Sequence, residues 1–578
     1  MTTINEDTIL RPATKYSNNL FGRNVVSKGS YLLVTSNYLP IGPVSNAGAI
    51  YVFKNTSGTS WSQLTGLYYD GTAYRDFLYN NVDATNGHYY GHSLSIDNTG
   101  TYIVVGEVLY DDAGTEDGKL RIYKNNGSDV FVEESITQPS FISSGDRVGF
   151  SVEIEGDYLV VGANLDDTTD TSAGSAAIYK LSGGSWTEIQ AIQGRDGSTA
   201  DAQNNDQFGK EVAMYGDFIA VGAVNEGSYG AVYIYKNNGS DNFTSIDTMK
   251  ISGTSSYQRI GDFRTVAMYG DYLLASSINT RNATLFKYNS ATDNTWNLVT
   301  SFVASGIPSG YIFGFSASIY ERTMIVTGNA QGFAQPGVAA VFSIDPDTDA
   351  VTEEYRLVQS TGAQNNSGYG QNCTVNGDHL FVGHSKHDTS GYTNDGAVYY
   401  FYQSVCFGAG SMVETENGSI EVENLRRGMM IVTSAGPRKL ARVLRSTGVS
   451  GRYVVFEAGS VSEGVPSAKT VVTRGHVMEY EGDYYNSDDF AENSRFEGVS
   501  YVDMLPEGGL YTLQFETHEV IRVNGMKLLS LPPYTHYKGL HLPKGLYFNK
   551  EKFDEEHIGK MYKPYMLHDD PLPKNKLK

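Results

Sequence analysis

The sequence predicts an all-β protein, with a seven-bladed β-propeller followed by a smaller all-β domain. Three observations support this prediction. One phrase recurs seven times before Cys406, its strands alternate apolar and polar residues, and a different pattern begins at Cys406. The chain has 578 residues, of which 19% are charged, so it is long enough to bury several domain cores.

The recurring phrase begins with an aromatic-Gly pair, a short alternating strand, a Gly-Asp turn and an apolar strand. A variable acidic loop and a strand ending in aromatic residues complete it. The clearest copy is GFSVEIEGDYLVVGANLDDTTDTSAGSAAIYK, residues 149–180. The copies lie 50 to 69 residues apart and begin near Phe21, Tyr90, Phe150, Phe208, Phe263, Phe313 and Tyr369. Alternation that ends in Gly-Asp or Asn-Gly turns is typical of antiparallel strands.

Seven such units predict a closed ring. A single four-stranded sheet cannot bury both of its faces, whereas sheets packed radially can, and closure protects the edge strands. The last unit ends at Phe401 without a fourth strand, while residues 8–14 precede the first aromatic-Gly pair. We therefore assign residues 1–405 to the propeller and expect its N-terminal strand to complete the last blade.

The phrase resembles the FG-GAP repeat, which implies a propeller fold. Propellers bind partners through loops at the ends of the central channel, and we expect an unidentified protein or glycan ligand here. Calcium-binding members of that family carry Asp-x-Asp-x-Asp-Gly in the first turn. Turns such as Gly156-Asp157 are too short to enclose an ion, so no metal site is predicted. We interpret the acidic loops 111–118 and 164–174, together with His384 and His387, as solvated. Cys373 lies in a predicted strand and is expected to pack.

Charge also divides the chain at Cys406. Residues 1–405 hold 22 basic and 42 acidic residues, whereas the remainder holds 21 and 23. The net charge of −22 argues against binding to nucleic acid or to an anionic membrane surface. We predict neither a signal peptide nor a transmembrane segment. Location is left open, since secreted, cell-surface and virion-associated proteins all fit this sequence.

Residues 406–535 resemble the Hint domain of Hedgehog proteins and inteins in three separate blocks. The chain begins this region with Cys406-Phe407 and a strand that leads to Gly428. Thr473-Arg474-Gly475-His476 fits the family's Thr-x-x-His motif, and His518 precedes an Asn-Gly pair. Each block alone is weak, but their order and spacing together favour this family.

The resemblance implies self-cleavage of the Val405–Cys406 bond. The Cys406 thiolate attacks the Val405 carbonyl and converts the amide to a thioester. His476 protonates the departing amide nitrogen, and Thr473 holds the imidazole or the amide by a hydrogen bond. The attacking sulfur and its target are neighbours in one chain, so the reaction gains from proximity, and no cofactor is required.

The end of the domain predicts release rather than splicing. Leu529 and Ser530 stand where an intein has His-Asn. A small nucleophile (water, a thiol or an alcohol) is then expected to resolve the thioester, with His518 activating it, which frees residues 1–405. The resemblance does not identify this nucleophile.

The alternative is a non-enzymatic adhesion or structural protein whose Hint domain has become an inactive scaffold. It rests on three departures from the family: Val405 stands where Hedgehog proteins have Gly, Met429 follows Gly428 where the family has Asp, and the end of the domain departs from the family pattern. Residues 536–578, rich in Lys, Tyr and Pro, show no clear period and are assigned no fold.

Overall fold

The computed structural model describes most of residues 3–529. It leaves out residues 6–7, 56–60, 81–88, 112–115, 194–203, 228–229, 250–259, 291–294, 308–311, 330–336, 345–348, 359–367, 378, 403–406, 427, 441, 447–452, 474–475, 481–482, 492–494, 503–509 and 516–519. The predicted tail, residues 536–578, lies outside the described residues.

Residues 3–402 form seven sheets of four to six strands. The strands of the first half are β1 (Thr3–Asn5), β2 (Thr8–Leu10), β3 (Val25–Lys28), β4 (Tyr31–Ser36), β5 (Ala49–Asn55), β6 (Trp61–Gln63), β7 (Tyr68–Tyr69), β8 (Tyr74–Arg75), β9 (Tyr90–Ile96), β10 (Tyr102–Glu107), β11 (Lys119–Asn125), β12 (Phe131–Glu134), β13 (Val148–Glu155), β14 (Tyr158–Ala163), β15 (Ser175–Ser182) and β16 (Ser185–Gln193). Those of the second half are β17 (Phe208–Tyr215), β18 (Phe218–Ala223), β19 (Ala231–Asn237), β20 (Phe243–Met249), β21 (Val266–Tyr269), β22 (Tyr272–Ser277), β23 (Asn282–Asn289), β24 (Thr295–Phe302), β25 (Ile312–Tyr320), β26 (Thr323–Asn329), β27 (Val338–Ile344), β28 (Val351–Val358), β29 (Tyr369–Asn376), β30 (His379–His384) and β31 (Ala397–Tyr402).

The first strands of the seven sheets, β3, β9, β13, β17, β21, β25 and β29, lie next to one another in a closed circle. β29 meets β3, and the Val25 N–H donates to Asn372 Oδ1 at 3.1 Å across that junction. The N-terminal strand β2 pairs antiparallel with β31 as the outermost strand of its sheet, while β1 pairs parallel with β28. The predicted all-β, propeller-like fold is confirmed.

The glycine of the aromatic-Gly pair allows neighbouring sheets to approach closely. Gly209 has φ +82°, and a Cβ at this position would clash with the carbonyl oxygen of Ser175 in the preceding sheet. The Ser151 hydroxyl donates to the Gly209 carbonyl at 2.9 Å, so the same contact also carries a hydrogen bond. This junction explains why the phrase needs a residue without a side chain there.

Apolar residues from each pair of adjacent sheets form one buried cluster between them. Val160 and Ile178 of the third sheet, for example, pack with Phe208 of the fourth. Cys373 lies in such a cluster between the sixth and seventh sheets, and burial raises the pKa of its thiol to about 12. Its predicted packing role is confirmed.

Residues 407–529 form two further sheets around a separate core that includes Phe407, Val472 and Ile521. Their strands are β32 (Phe407–Gly408), β33 (Met412–Thr415), β34 (Gly418–Glu421), β35 (Met430–Ile431), β36 (Arg438–Lys439), β37 (Arg442–Ser446), β38 (Tyr453–Phe456), β39 (Thr470–Thr473), β40 (Val477–Tyr480), β41 (Asp483–Asn486), β42 (Val499–Val502), β43 (Leu510–Gln514), β44 (Val520–Val523) and β45 (Met526–Leu529). A 3-10 turn (Val422–Asn424) and the short helix α1 (Ser487–Ala491) interrupt them. Within the described part of the chain, no helix has the length and apolar character needed to cross a membrane.

Candidate functional site

The structure describes some of the predicted site residues and not others. Val405, Cys406 and His518 lie outside the described residues. The backbone of Thr473 ends strand β39, and His476 follows it three residues later. The geometry of the site therefore rests on His476 and on Phe407, the residue bonded to Cys406.

Phe407 lies in the middle of a six-stranded sheet. It pairs with Val472 of β39 on one side and with Tyr511 of β43 on the other. Its side chain is 1% exposed. Phe407, the residue that follows Cys406, is thus held directly beside the strand that ends in Thr473. A site built from both segments requires this arrangement.

The backbone of His476 is fixed by the first residue of α1. The His476 N–H donates to Ser487 Oγ at 3.2 Å, and the Ser487 N–H donates to the His476 carbonyl at 2.7 Å. Both residues are fully buried. This reciprocal pair of hydrogen bonds fixes the backbone from which the imidazole extends.

The imidazole of His476 packs on the ring of Phe407. The two ring centroids lie 4.7 Å apart and the ring planes meet at 53°. The structure therefore brings His476 to the residue adjacent to the predicted nucleophile, although 69 positions separate His476 from Phe407 in the sequence.

Asn524 links the beginning of the domain to the strand that carries Thr473. Its Oδ1 accepts from the Met412 N–H at 2.9 Å, its Nδ2 donates to Thr470 Oγ1 at 2.7 Å, and its own N–H donates to the Met412 carbonyl at 2.8 Å. Asn524 (φ 49°) and Gly525 (φ 84°) form the two-residue turn between β44 and β45. This Asn-Gly pair entered the sequence prediction only as part of the block that follows His518, and the hydrogen bonds of the buried amide were not predicted.

The acidic loops of the propeller are solvated only in part: Asp111, Asp167 and Asp170 are exposed as predicted, whereas other residues are not. Asp117 and Asp166 are buried, and Asp166 Oδ1 accepts from the backbone and the hydroxyl of Thr168 at 2.8 and 2.6 Å. Asp166 is satisfied by hydrogen bonds within the loop rather than by solvent. The prediction of a solvated carboxylate was therefore wrong at this residue. His384 and His387 are buried as well, in contact with each other.

Three carboxylates, two in the loop 164–174 and one outside it, have the spacing of metal ligands. Asp146, Asp166 and Asp167 present oxygens within 4.8 Å of one another. Burial, with the neighbouring carboxylates of Asp166 and Asp167 adding to it, raises the pKa of Asp146 to about 6. Because Asp166 and Asp146 already accept hydrogen bonds from Thr168 and Ser143, these contacts account for the group without an ion.

Comparison with protein families agrees with both predicted units. The Hint domain model matches residues 405–534, and the FG-GAP repeat model matches residues 133–179 and 186–235. No curated protein matches the chain at a significant level.

Several solved structures are similar at low sequence identity. The WD40 repeats of RRP9 match at 10% identity, with a TM-score of 0.42, over 68% of this chain and 97% of that one. A 6-phosphogluconolactonase-like protein from Bacteroides uniformis matches at 11% identity, with a TM-score of 0.41, over 68% and 95%. The gp41-1 intein matches at 11% identity, with a TM-score of 0.17, over 22% of this chain and 99% of its own.

The buried His476–Phe407 pair lies inside the region matched by the Hint model, and strands β13 to β19 overlap the residues matched by the FG-GAP model. The chain therefore joins FG-GAP repeats to a C-terminal Hint domain.

Proposed function

We propose that the Hint domain cleaves its own chain between Val405 and Cys406 and so releases the propeller. The observation that carries the proposal is the packing of the His476 imidazole on Phe407, the residue bonded to Cys406, at 4.7 Å between ring centroids. Cys406 is bonded directly to Phe407, and we propose that the scissile amide on its other side comes within reach of this imidazole.

The first step exchanges an amide for a thioester. The Cys406 thiolate attacks the Val405 carbonyl carbon, and a new C–S bond forms. The C–N bond then breaks as protonated His476 delivers a proton to the nitrogen, which leaves as the free amine of Cys406. Thr473 ends the strand paired with Phe407 and is proposed to hold the imidazole or the amide by a hydrogen bond.

The second step breaks the thioester. A small nucleophile, for which water is the simplest choice and a thiol or an alcohol the alternatives, attacks the Val405 carbonyl and displaces the Cys406 thiolate. His518 is proposed to accept the proton of that nucleophile. With water, the products are residues 1–405 with a new carboxylate and residues 406–578 with an N-terminal cysteine.

The test is the intact mass of the purified full-length chain over time in neutral buffer, with and without added thiol. We expect two fragments that meet at Val405 and Cys406, and faster release with thiol because thiols resolve thioesters. Cys406→Ala should stay whole. Cys373→Ala is the matched control, since the other cysteine is buried in the propeller core, and it should cleave like the wild type.

Two results would refute the proposal. One is a wild-type chain that stays whole with thiol present, which would favour an adhesion or structural protein with an inactive Hint scaffold. The other is equal cleavage by Cys406→Ala, which would show that the thiol takes no part. Neither result bears on our separate proposal that the propeller binds a protein or glycan ligand.

A further inference from the structure

A cavity of about 220 Å³ lies on the axis of the ring, lined by residues from the first strands of all seven sheets. Parallel bridges such as Gly174 with Phe208 join the third strand of one sheet to the first strand of the next. The third strand of a sheet runs parallel to its first, so all the first strands point the same way. Their C-terminal ends therefore gather at one end of the cavity, beside turns in which Asp157 and Asp217 are exposed. We call this end of the cavity the mouth.

One side of the mouth consists of three tyrosines. Tyr215, Tyr269 and Tyr320 end the first strands of three consecutive units, and all three line the cavity. Their ring centroids follow one another at 4.6 and 4.7 Å. Burial, with the neighbouring tyrosines adding to it, raises the pKa of Tyr269 well above its usual range, so its hydroxyl stays neutral. This tyrosine side is a continuous aromatic wall.

The other side of the mouth is formed by polar residues of the remaining four units, which also line the cavity: Asn376, Lys28, Asn98 and Glu155. Asn376 Nδ2 donates to the Gly29 carbonyl at 2.8 Å, and Asn98 Nδ2 donates to Glu155 Oε1 at 3.2 Å. Lys28 forms an ion pair with Glu153, and its Nζ lies 3.7 Å from Glu155 Oε2. This polar side therefore presents donors and acceptors that contacts with neighbouring units hold in place.

The charges that line the cavity nearly balance. Lys28 and Arg264 face Glu153, Glu155 and Glu211. Burial raises the pKa of Glu211 well above its usual range, so the lining carries a net charge of −1 with Glu211 ionised and of zero with it protonated. Taking an uncompensated charge out of water is costly, so a lining of this kind favours a neutral ligand.

We propose that the mouth of the cavity binds one neutral hexose ring, either as a free sugar or as the terminal residue of a glycan. The C–H face of the sugar packs on the tyrosine side, and its hydroxyl groups exchange hydrogen bonds with Asn98, Glu155 and Asn376. The inference rests on the proposed role of the propeller as a ligand-binding unit, narrows that ligand to a sugar, and does not depend on cleavage.

A hexose combines the two properties that the mouth separates, an apolar face and a rim of hydroxyl groups that both donate and accept. A wholly apolar ligand would leave the polar side without hydrogen bonds, and unpaired polar groups are costly to bury. The cavity is also smaller than the pockets of about 300 to 1,000 Å³ that hold drug-sized ligands, which limits the occupant to about one ring.

The test titrates D-glucose, D-galactose, D-mannose and N-acetyl-D-glucosamine calorimetrically into the full-length Cys406→Ala chain and into the wild type. We expect at least one sugar to bind with a dissociation constant of about 1 mM or tighter. The intact mass of the same samples reports cleavage separately, so failure of sugar binding and failure of self-cleavage are distinguished.

Two kinds of analogue of the sugar that binds most tightly define the ligand further. Its methyl glycoside imitates the terminal residue of a glycan: retained binding assigns the site to glycan ends, and lost binding assigns it to the free sugar. The uronate and the amino sugar of the same configuration carry a carboxylate or an ammonium, and both should bind less tightly than the neutral sugar.

Tyr269→Ala removes the middle of the tyrosine side and should weaken sugar binding about tenfold or more. Asn98→Ala, at an exposed residue, should weaken it about threefold or more and keeps the test valid if Tyr269→Ala does not fold. Tyr74→Ala is the matched control and should bind like the wild type. Tyr74 forms an exposed ring pair with Tyr69 at 5.2 Å on the outermost strand of its sheet.

Four results would overturn the proposal. They are no binding of any of the four sugars, equal or tighter binding of a charged analogue, unchanged binding in the folded mouth variants, and equal weakening by Tyr74→Ala. The last result would place the sugar on the exposed tyrosine pair instead of in the cavity.

Discussion

In the propeller the same strand position occurs in seven sheets, whereas in the Hint domain each candidate site residue occurs once. The ring gains its fold from repetition of one strand pattern. The Hint site arises where distant segments meet, as Phe407 meets His476. Substitutions in the two units should therefore fail in different ways: by loss of packing between sheets in one, and by loss of chemistry in the other.

The largest effect that this comparison predicts is on cleavage. His476→Ala removes the imidazole that we propose protonates the leaving nitrogen, and general acid catalysis typically contributes about 10²- to 10⁴-fold. We expect the rate of fragment formation, followed by intact mass, to fall by that factor. Added imidazole should restore part of it, which a purely structural role would not permit.

His379→Ala is the control for that experiment. His379 is a partly buried propeller histidine whose ring stacks near Tyr400, and its loss should leave cleavage unchanged. An unchanged rate in His476→Ala would remove His476 from the mechanism.

The next prediction compares the loss of stability on replacing two glycines of the ring. Gly209→Ala places a methyl group against the carbonyl oxygen of Ser175 at φ +82°, so we expect a loss of at least about 3 kcal/mol in unfolding free energy. Gly216→Ala, in a Gly-Asp turn at φ +56° with open space around the new methyl, should cost only about 1 to 2 kcal/mol. Urea denaturation measures both. Equal losses would mean that close approach of the sheets is not what the glycine provides.

Much of the ring was predictable because its signals are local and repeated. The Gly-Asp turns, the alternation around Tyr158 and the spacing of the units each indicate antiparallel sheets without knowledge of their partners. The pairing of β2 with β31 also followed from counting the strands of the last unit. In contrast, the parallel pairing of β1 with β28 has no local signal, because a short edge strand accepts many partners.

The candidate sites were only partly predictable, for a physical reason. His476 could be predicted as a site residue because its motif is contiguous, but its contact with Phe407 and its hydrogen bonds with Ser487 depend on segments far apart in the sequence. The burial of Asp166 was missed because an acidic loop has the same composition whether water or Thr168 satisfies it. Long-range packing decides such cases.

A smaller effect is expected from Asn524 in the Hint domain. Asn524→Ala removes two side-chain hydrogen bonds and leaves the partly buried Met412 N–H and the buried Thr470 hydroxyl without that partner, which should cost about 2 kcal/mol. Hydrogen exchange should show faster exchange at Met412, and cleavage should slow. Asn417→Ala, at the exposed Asn-Gly turn between β33 and β34, is the matched control and should change neither.

The smallest predicted effect is a pH dependence within the propeller. Burial and the carboxylate of Asp166 raise the pKa of Asp146 to about 6. The folded chain therefore holds this proton more tightly than the unfolded chain does, whose aspartate has a pKa of about 4. The stability that the protonated form contributes is lost as the pH rises from about 4 through about 6. Asp146→Asn keeps a neutral group, so its melting temperature should rise relative to wild type between pH 4.5 and pH 7, the interval of the scan. Asp349→Asn should show the opposite sign: although burial opposes it, the hydrogen bonds from Lys287 and Tyr272 lower the pKa of Asp349. If both variants shifted in the same direction, the buried carboxylate of Asp146 would not be the source of the effect.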